Sequence, residues 1–207
     1  MHRLALYLTL SCVISLVCQA AHAGKYNPVL NVGDAAPEWR DLPGVDDQKH
    51  SLAQYADYES LVIVFTCNTC PTATDYEPRL QTLAAKFVGG KQCAVIAINA
   101  NQVADDLLPK MKERAERLKF NYVYLHDDTQ QIARAYGATV TPEFFVLDKQ
   151  RKVVYMGAMD DATDAAAVKV KYVEDAIAAT LAGKQPAVTE TVGRGCLVRF
   201  VRERRKK

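Results

Sequence analysis

Phe65-Thr66-Cys67-Asn68-Thr69-Cys70-Pro71-Thr72 places two cysteines, separated by two residues, between an apolar run and a segment with helical periodicity. The run before it, Leu61–Phe65, is continuously apolar, which is typical of a strand buried on both faces. The segment after it, Asp75–Val88, has apolar residues at helical spacing and is predicted to be a helix. The two thiols are therefore expected at the junction between a central strand and a helix.

The spacing of Cys67 and Cys70 suits thiol–disulfide exchange. The thiolate is the attacking species in that reaction, and a helix N-terminus stabilises an anion through its free N–H groups and its dipole. Cys67 is expected to lie nearer the helix start and to be the nucleophile. Cys70, one turn on and more buried, can then reach the sulfur of Cys67 and resolve a mixed disulfide. A redox-active Cys67–Cys70 disulfide is predicted, and no other cofactor.

An inert structural disulfide and a metal site are the alternatives for this pair. A zinc site needs about four ligands, and the chain has no second Cys-x-x-Cys. The remaining candidate ligands, His50, His126, Cys93 and Cys196, are scattered singly. Redox chemistry is therefore favoured and no metal is predicted. Cys93 begins an apolar run and is expected to be a buried core residue.

The first 23 residues have the features of a secretory signal peptide. A positive start, Met1-His2-Arg3, precedes an uncharged apolar stretch from Leu4 to Val17, and Ala21-His22-Ala23 is a small-x-small cleavage site. An uncleaved membrane anchor is the alternative, but the stretch is short for a span of roughly 20 residues. We therefore expect an exported protein, periplasmic or secreted, with no integral membrane segment after signal cleavage.

Charge and cysteine content limit the classes of function. A formal net charge of +2 over 207 residues gives no global case for nucleic-acid binding. Removal of the leader would leave four cysteines, too few for a disulfide scaffold of this length. Because 49% of the residues are hydrophobic, stability is expected to come from a packed core.

Strand and helix patterns alternate along the chain. A second apolar run begins at Cys93, an amphipathic helix is predicted over Val103–Lys119, and a last helix over Thr163–Leu181. Phe144–Asp148 and Lys152–Met156, joined by a short turn, predict a β-hairpin. This order predicts an α/β fold with a central mixed sheet flanked by helices on both faces.

Thr141-Pro142 is a second feature of chemical interest. It stands at the start of an apolar strand, where proline is unusual because it cannot donate to the sheet ladder. A cis peptide bond would expose the backbone of Thr141, which can then pair with an incoming peptide or hold a substrate near Cys67. An ordinary trans proline at a sheet edge is the alternative.

Three motifs together resemble the thioredoxin-like redoxin family. They are Val32-Gly33-Asp34-Ala35-Ala36-Pro37-Glu38-Trp39, the strand ending in Cys67-Asn68-Thr69-Cys70-Pro71, and Val140-Thr141-Pro142-Glu143-Phe144-Phe145-Val146-Leu147-Asp148. This family includes exported thiol–disulfide oxidoreductases and the antioxidant peroxiredoxins of the alkyl hydroperoxide reductase and thiol-specific antioxidant type. The resemblance runs from about Val32 to Leu181. It implies a thioredoxin-like fold, attack by Cys67, resolution by Cys70 and a cis Pro142.

The sequence also departs from this family. Thioredoxins usually carry an aromatic residue directly before the first cysteine, where this chain has Thr66. They often have a buried acid in the preceding strand, and Leu61–Phe65 contains none. Glu143, next to Pro142, is a candidate auxiliary acid–base group, although a surface ion pair is its favoured role.

A thiol peroxidase is the main alternative function. Cys70-Pro71-Thr72 is similar to the peroxiredoxin Cys-Pro-Thr sequence, and Arg79 and Arg134 are candidate partners. Peroxiredoxins usually place a threonine three residues before the reactive cysteine, where this chain has Val64 or Cys67. A non-catalytic binding module is a further alternative. The favoured function is an exported thiol–disulfide oxidoreductase that acts on protein or small-molecule thiols and disulfides, with an external electron donor or acceptor.

The chain is divided into three parts by these features. Residues 1–23 are the signal peptide, residues 24–182 the thioredoxin-like redoxin domain, and residues 183–207 a C-terminal extension with Cys196 and a basic tail. Cys196 stands among glycines and is followed by apolar residues, which a disordered tail would not need. The extension is therefore expected to fold back on the domain as an added strand. A structural or exposed thiol is the favoured role of Cys196, and an auxiliary redox thiol is the alternative.

Overall fold

The computed structural model describes residues 24–201. The predicted signal peptide and most of the basic tail, residues 1–23 and 202–207, lie outside the described residues. The strands within residues 24–201 are β1 Leu42–Pro43, β2 Lys49–His50, β3 Ser60–Phe65, β4 Cys93–Asn99, β5 Val123–His126, β6 Val140–Thr141, β7 Glu143–Leu147, β8 Val153–Gly157 and β9 Cys196–Leu197. The α-helices are α1 Pro71–Ala85, α2 Leu108–Leu118, α3 Gln131–Ala135 and α4 Tyr172–Leu181. Short 3₁₀ helices cover Leu52–Tyr55, Ala104–Asp106 and Ala165–Ala167.

The central sheet is mixed, as predicted, and has the strand order β5-β4-β3-β7-β8. β3 runs parallel to β4, and β4 parallel to β5. β7 pairs antiparallel with both β3 and β8, so the predicted hairpin is confirmed. β3 and β4 are therefore inside the sheet, which explains their continuous apolar sequences.

Side chains of β3 alternate between two hydrophobic layers. Leu61, Ile63 and Phe65 pack on the face that also holds α3 and the segment around Trp39. Val62 and Val64 pack on the other face, against α1, α2 and α4. Full burial of a side chain of this size stabilises a fold by about 1.5–3 kcal/mol. The predicted arrangement of helices on both faces is confirmed, and it holds the end of β3 rigidly in the middle of the domain.

Two predicted helices begin later than expected. The helix predicted from Val103 begins only at Leu108, because Pro109 lacks an N–H group and fits the first turn of a helix. The helix predicted from Thr163 begins at Tyr172. Before it, the Asp161 carboxylate accepts the N–H groups of Lys169 and Val170, so this backbone is bonded to a side chain instead of a helical carbonyl.

The helix after the two cysteines begins earlier than expected. It starts at Pro71 instead of Asp75, and Cys70 is its N-cap residue. Proline is favoured at the first helical position because the N–H that it lacks has no partner there. The sequence-based boundary followed the apolar periodicity alone and so missed the first turn.

The C-terminal extension folds back on the domain, as predicted. Thr189 and Thr191 exchange backbone hydrogen bonds with Met156, along the outer edge of β8, at 3.1 Å each. β9 then pairs antiparallel with β6, and Val198 N–H donates to the carbonyl of Thr139 at 2.9 Å. Within residues 24–201, no helix combines the length and the apolar character that crossing a membrane requires.

Candidate active site

Cys67 and Cys70 lie in the connection between β3 and α1 and face the same residue, Thr141. The Cys67 Sγ is 3.3 Å from the Thr141 hydroxyl, and the Cys70 Sγ is 3.1 Å from the Thr141 carbonyl oxygen. The Thr141–Pro142 peptide bond is cis, as predicted. Each cysteine is only 2% exposed, so the expectation that Cys70 is the more buried of the two is wrong. The structure thus brings the two predicted thiols and the predicted Thr-Pro motif together.

Cys70, and not Cys67, occupies the helix start. Its sulfur accepts hydrogen bonds from the N–H of Ala73, in the first turn of α1, and from the N–H of Cys196, each at 3.4 Å. Burial acts to raise the pKa of Cys70, but the hydrogen bonds from Cys196, Ala73 and Thr141 outweigh burial and lower that pKa. The structural features that were expected to favour a Cys67 thiolate therefore favour one at Cys70.

Cys67 is in a different electrostatic environment. Burial raises the pKa of its thiol, the hydrogen bond with Thr141 lowers it, and the nearby Asp106 raises it further, with a net increase. In the reduced protein the two thiols are thus unequal, since Cys70 is the more easily ionised. An unequal pair of this kind is suited to sequential steps of disulfide exchange.

Asp106 holds the loop between the two cysteines and was missed in the sequence. Its Oδ1 accepts the backbone N–H groups of Asn68 at 2.6 Å and Thr69 at 3.1 Å. Its Oδ2 accepts the Thr69 hydroxyl at 2.7 Å and the Asn101 side-chain amide at 3.0 Å. The side chain is fully buried. The helix predicted over this segment includes Asp106, so the pattern does not indicate its role at the site. Pro109 is the signal in the sequence that the helix begins beyond Asp106.

The Asn68 side chain fixes the loop from its other end. Its amide group donates to the carbonyl of Asp105 at 2.7 Å, and the Tyr124 hydroxyl donates to its Oδ1 at 3.0 Å. Tyr124 is itself buried in β5. Both residues between the cysteines are therefore held by the 3₁₀ helix Ala104–Asp106, which limits movement of the two thiols.

Glu143 is buried beside the Thr-Pro motif and does not contact either cysteine through a hydrogen bond. Its Oε2 accepts the N–H groups of Thr139 at 2.8 Å and Val140 at 3.2 Å, and burial raises its pKa. The favoured surface ion pair is wrong, since no salt bridge within residues 24–201 includes Glu143. The carboxyl group instead holds the turn that leads into Thr141.

The other two cysteines differ sharply in position. Cys93 is buried at the start of β4, where it pairs with Ser60 at the far end of β3, and burial raises its pKa to about 12. The prediction of a core residue is confirmed. Cys196 is exposed and lies in β9, directly beside Cys70. Like Cys67 and Cys70, both are free thiols.

The two candidate arginines are engaged elsewhere. Arg79 forms an ion pair with Asp160 at 2.6 Å, and its guanidinium lies 3.6 Å from the centre of the Tyr76 ring. Arg134 stacks on Phe200 at 4.3 Å. Among the described residues, no arginine donates a hydrogen bond to either site cysteine. In the same part of the chain, no cluster of three or more His, Cys, Asp or Glu side chains has the arrangement of a metal site.

The family comparison agrees with this geometry. The sequence model of the AhpC/TSA family matches residues 32–156, which include β3, the two cysteines and the Thr-Pro motif. The chain belongs to the AhpC/TSA family. Membership of the AhpC/TSA family, together with the thioredoxin-like fold, supports a thiol-based redox function and an oxidoreductase activity. No curated protein sequence gives a significant match.

Solved structures with the same fold include a peroxidoxin and a thioredoxin family protein. An uncharacterized conserved protein from Geobacillus kaustophilus is 30% identical, with a TM-score of 0.79 over 86% of this chain and 96% of that chain. Peroxidoxin BcpB from Mycobacterium tuberculosis is 22% identical, with a TM-score of 0.56 over 73% and 96%. A thiol:disulfide interchange protein from Chlorobium tepidum is 18% identical, with a TM-score of 0.53 over 63% and 89%. The last two likenesses concern the fold alone.

Proposed function

We propose that the protein is an exported thiol–disulfide oxidoreductase whose working pair is Cys67 and Cys70. The proposal rests on one observation: both sulfurs contact Thr141, one its hydroxyl and the other its carbonyl, directly before cis-Pro142. Thr141 and Pro142 are proposed to position the substrate, and Glu143 to support them through the turn that it holds. The substrates are thiols or disulfides of proteins or small molecules.

The environment of the thiols favours Cys70 as the first thiolate. In the reductive direction, the Cys70 thiolate attacks a substrate disulfide, a mixed disulfide forms, and one substrate thiolate leaves. Cys67, after losing its proton, then attacks the Cys70 sulfur, which closes the Cys67–Cys70 disulfide and releases the second substrate thiolate. The opposite order, with attack by Cys67, is the one that the sequence predicts. The oxidative direction runs through the same steps in reverse.

Insulin reduction tests both the activity and the order of attack. We expect the wild type to reduce insulin with an added dithiol as electron donor, and Cys67→Ser and Cys70→Ser each to lose turnover. With Cys196→Ser also in place, a mixed disulfide with insulin that accumulates in Cys67→Ser supports attack by Cys70. Accumulation in Cys70→Ser instead would show that Cys67 attacks first. Cys93→Ala, far from the site, serves as the control variant.

A thiol peroxidase is the second candidate, because Cys70 lies at a helix start with a lowered pKa and is followed by Pro71-Thr72. No arginine that would stabilise a peroxide anion contacts it in the described residues. Hydrogen peroxide consumption by the same variants separates the two functions. Turnover that survives loss of one cysteine of the pair but not the other would overturn the favoured function. Activity in neither assay would indicate a non-catalytic binding module.

Export is proposed from the leader sequence, residues 1–23. Expression of the whole chain in a bacterium with a periplasm should give a mature protein that begins at Gly24 in the periplasmic fraction. Recovery of the chain in the cytoplasm with Met1 still present would contradict export. This test is independent of the redox assays.

A further inference from the structure

Cys196 is the exposed member of a three-thiol cluster, and the two buried members form the proposed working pair. Resting on that proposed function, we propose that Cys196 is a relay thiol. It exchanges disulfides with Cys70 and so connects the buried pair to thiols and disulfides in solution. The sequence alone favours a passive role for Cys196, and the position of the residue in the fold argues for an active one.

Access to the pair is restricted. Cys67 and Cys70 are each 2% exposed, and thiol–disulfide exchange requires direct contact between the attacking sulfur and the sulfur that it attacks. Such contact is restricted for a folded protein disulfide while β9 is in place. Cys196 is exposed and its neighbour Leu197 is 74% exposed, so a partner can approach this thiol directly.

The backbone holds Cys196 against Cys70. Cys196 is the register partner of Thr141 in the β6–β9 pair, and its N–H donates to the Cys70 sulfur at 3.4 Å. The Thr141 hydroxyl also donates to the Cys196 carbonyl oxygen at 3.4 Å. Gly195 makes this approach feasible, because a Cβ atom there would clash with the Thr141 carbonyl oxygen. Its φ of 147° is also one that residues with side chains rarely adopt.

The extension is anchored on both sides of Cys196, so its position belongs to the fold. Before it, the Thr191 hydroxyl accepts the N–H of Ala158 at 2.9 Å. After it, the N–H of Arg199 donates to the Asn101 side chain at 2.8 Å. Asn101 also donates to the Asp106 carboxylate that holds the loop between the cysteines. The relay thiol and the loop of the working pair are therefore tied to the same buried groups.

The reactivity of Cys196 depends on the state of the pair. In the reduced protein, the hydrogen bond to Cys70, together with burial and the charges of Cys70 and Cys67, raises the pKa of Cys196 to about 11. When Cys67 and Cys70 form a disulfide, they carry no negative charge and this cause is removed. The pKa of Cys196 then falls, so its thiolate fraction is larger when there is a disulfide for it to attack.

The proposed transfer is a disulfide exchange without net oxidation. The Cys196 thiolate attacks the Cys70 sulfur, the Cys70–Cys196 bond forms, and the Cys67–Cys70 bond breaks. The electron pair leaves on Cys67, which takes up a proton. An external thiol then attacks the Cys196 sulfur and releases the Cys70 thiolate, and a second external thiol frees Cys196 and leaves as an external disulfide. The pair gains two electrons, and the external thiols supply them.

The test combines disulfide trapping with a reduction rate. Wild type, Cys67→Ser, Cys196→Ser and the control Cys93→Ala are oxidised with glutathione disulfide, quenched in acid, alkylated and mapped by mass spectrometry. We expect Cys67→Ser to form a Cys70–Cys196 disulfide. We also expect glutathione to reduce oxidised Cys196→Ser more slowly than wild type by on the order of tenfold, because it must reach a buried disulfide directly. Cys93→Ala should react at the wild-type rate.

The outcomes distinguish the relay from the function on which it rests. The relay is wrong if Cys67→Ser yields only glutathione adducts, or if Cys196→Ser is reduced at the wild-type rate. Either result leaves the proposed function standing, provided that wild type forms its Cys67–Cys70 disulfide and reduces insulin. If wild type forms no Cys67–Cys70 disulfide, the proposed pair itself fails. Circular dichroism and a second variant, Cys196→Ala, separate loss of the thiol from loss of the fold.

Discussion

Replacement of Asp106 should weaken the fold and change the chemistry of Cys67 at the same time. In Asp106→Ala, the backbone N–H groups of Asn68 and Thr69 lose their acceptor. An unsatisfied buried donor costs about 1–3 kcal/mol, and because both groups are only partly buried we expect roughly 2–3 kcal/mol for the two together. Asp106→Asn keeps an oxygen for these donors and should lose on the order of 1 kcal/mol.

The same two variants should change the ionisation of Cys67 in one direction. Burial raises the pKa of Cys67 most, and the Asp106 carboxylate adds to the increase. Both substitutions remove the charge, so the pKa should fall in both. Titration of thiolate ultraviolet absorbance would measure it in a background that also carries Cys70→Ser and Cys196→Ser. Cys93, whose pKa is raised to about 12, titrates later.

Urea unfolding measures the loss of stability in the Asp106 variants. Asp105→Ala is the matched control, because the exposed carboxylate of Asp105 makes no hydrogen bond to the loop between the cysteines. The reasoning is refuted if Asp106→Ala unfolds at the wild-type urea concentration. It is also refuted if the pKa of Cys67 is unchanged in both Asp106 variants. A stability loss as large in Asp106→Asn as in Asp106→Ala would show that the charge, and not the two backbone donors, stabilises the loop.

Three further substitutions test the surroundings of the pair. Burial raises the pKa of Glu143, so its contribution to stability is full below about pH 4 and is lost as the pH rises. In urea unfolding, Glu143→Gln should therefore gain stability relative to wild type between about pH 4 and 7. A stability difference that stays constant over this range would contradict the argument. Thr141→Val removes the hydroxyl that lowers the pKa of Cys67, which should rise in a thiolate titration. Gly195→Ala should displace β9 and speed alkylation of Cys70 by iodoacetamide on the order of tenfold, whereas an unchanged rate would mean that β9 does not limit access.

The central strands could be predicted because their burial leaves a direct trace in the sequence. Leu61–Phe65 and the run from Cys93 contain no charged residue, as a strand covered on both faces requires. The Thr141-Pro142 motif was also visible, since proline at the start of an apolar strand conflicts with ladder pairing. These features together placed the fold and the two thiols without the structure.

Other parts of the site depend on contacts that leave no period in the sequence. The hydrogen bond between Asn68 and Asp106 joins residues 38 positions apart, and only the fold determines that they meet. The helix predicted from Val103 also gave no sign that Asp106 lies in a buried segment before the helix starts. Pro71 was a helix-start signal that the apolar spacing overrode. Taken as the first helical residue, it makes Cys70, and not Cys67, the N-cap residue.

The contact of the C-terminal extension with Met156 has a consequence beyond redox chemistry. β8 is the last strand of the central sheet, and the backbone of Thr189 and Thr191 covers its outer edge. An open edge strand is a template for pairing with another chain. A protein that loses its extension by proteolysis would therefore uncover the buried thiols of Cys67 and Cys70 and an aggregation-prone edge together. Intermolecular strand pairing and intermolecular disulfides would then reinforce one another.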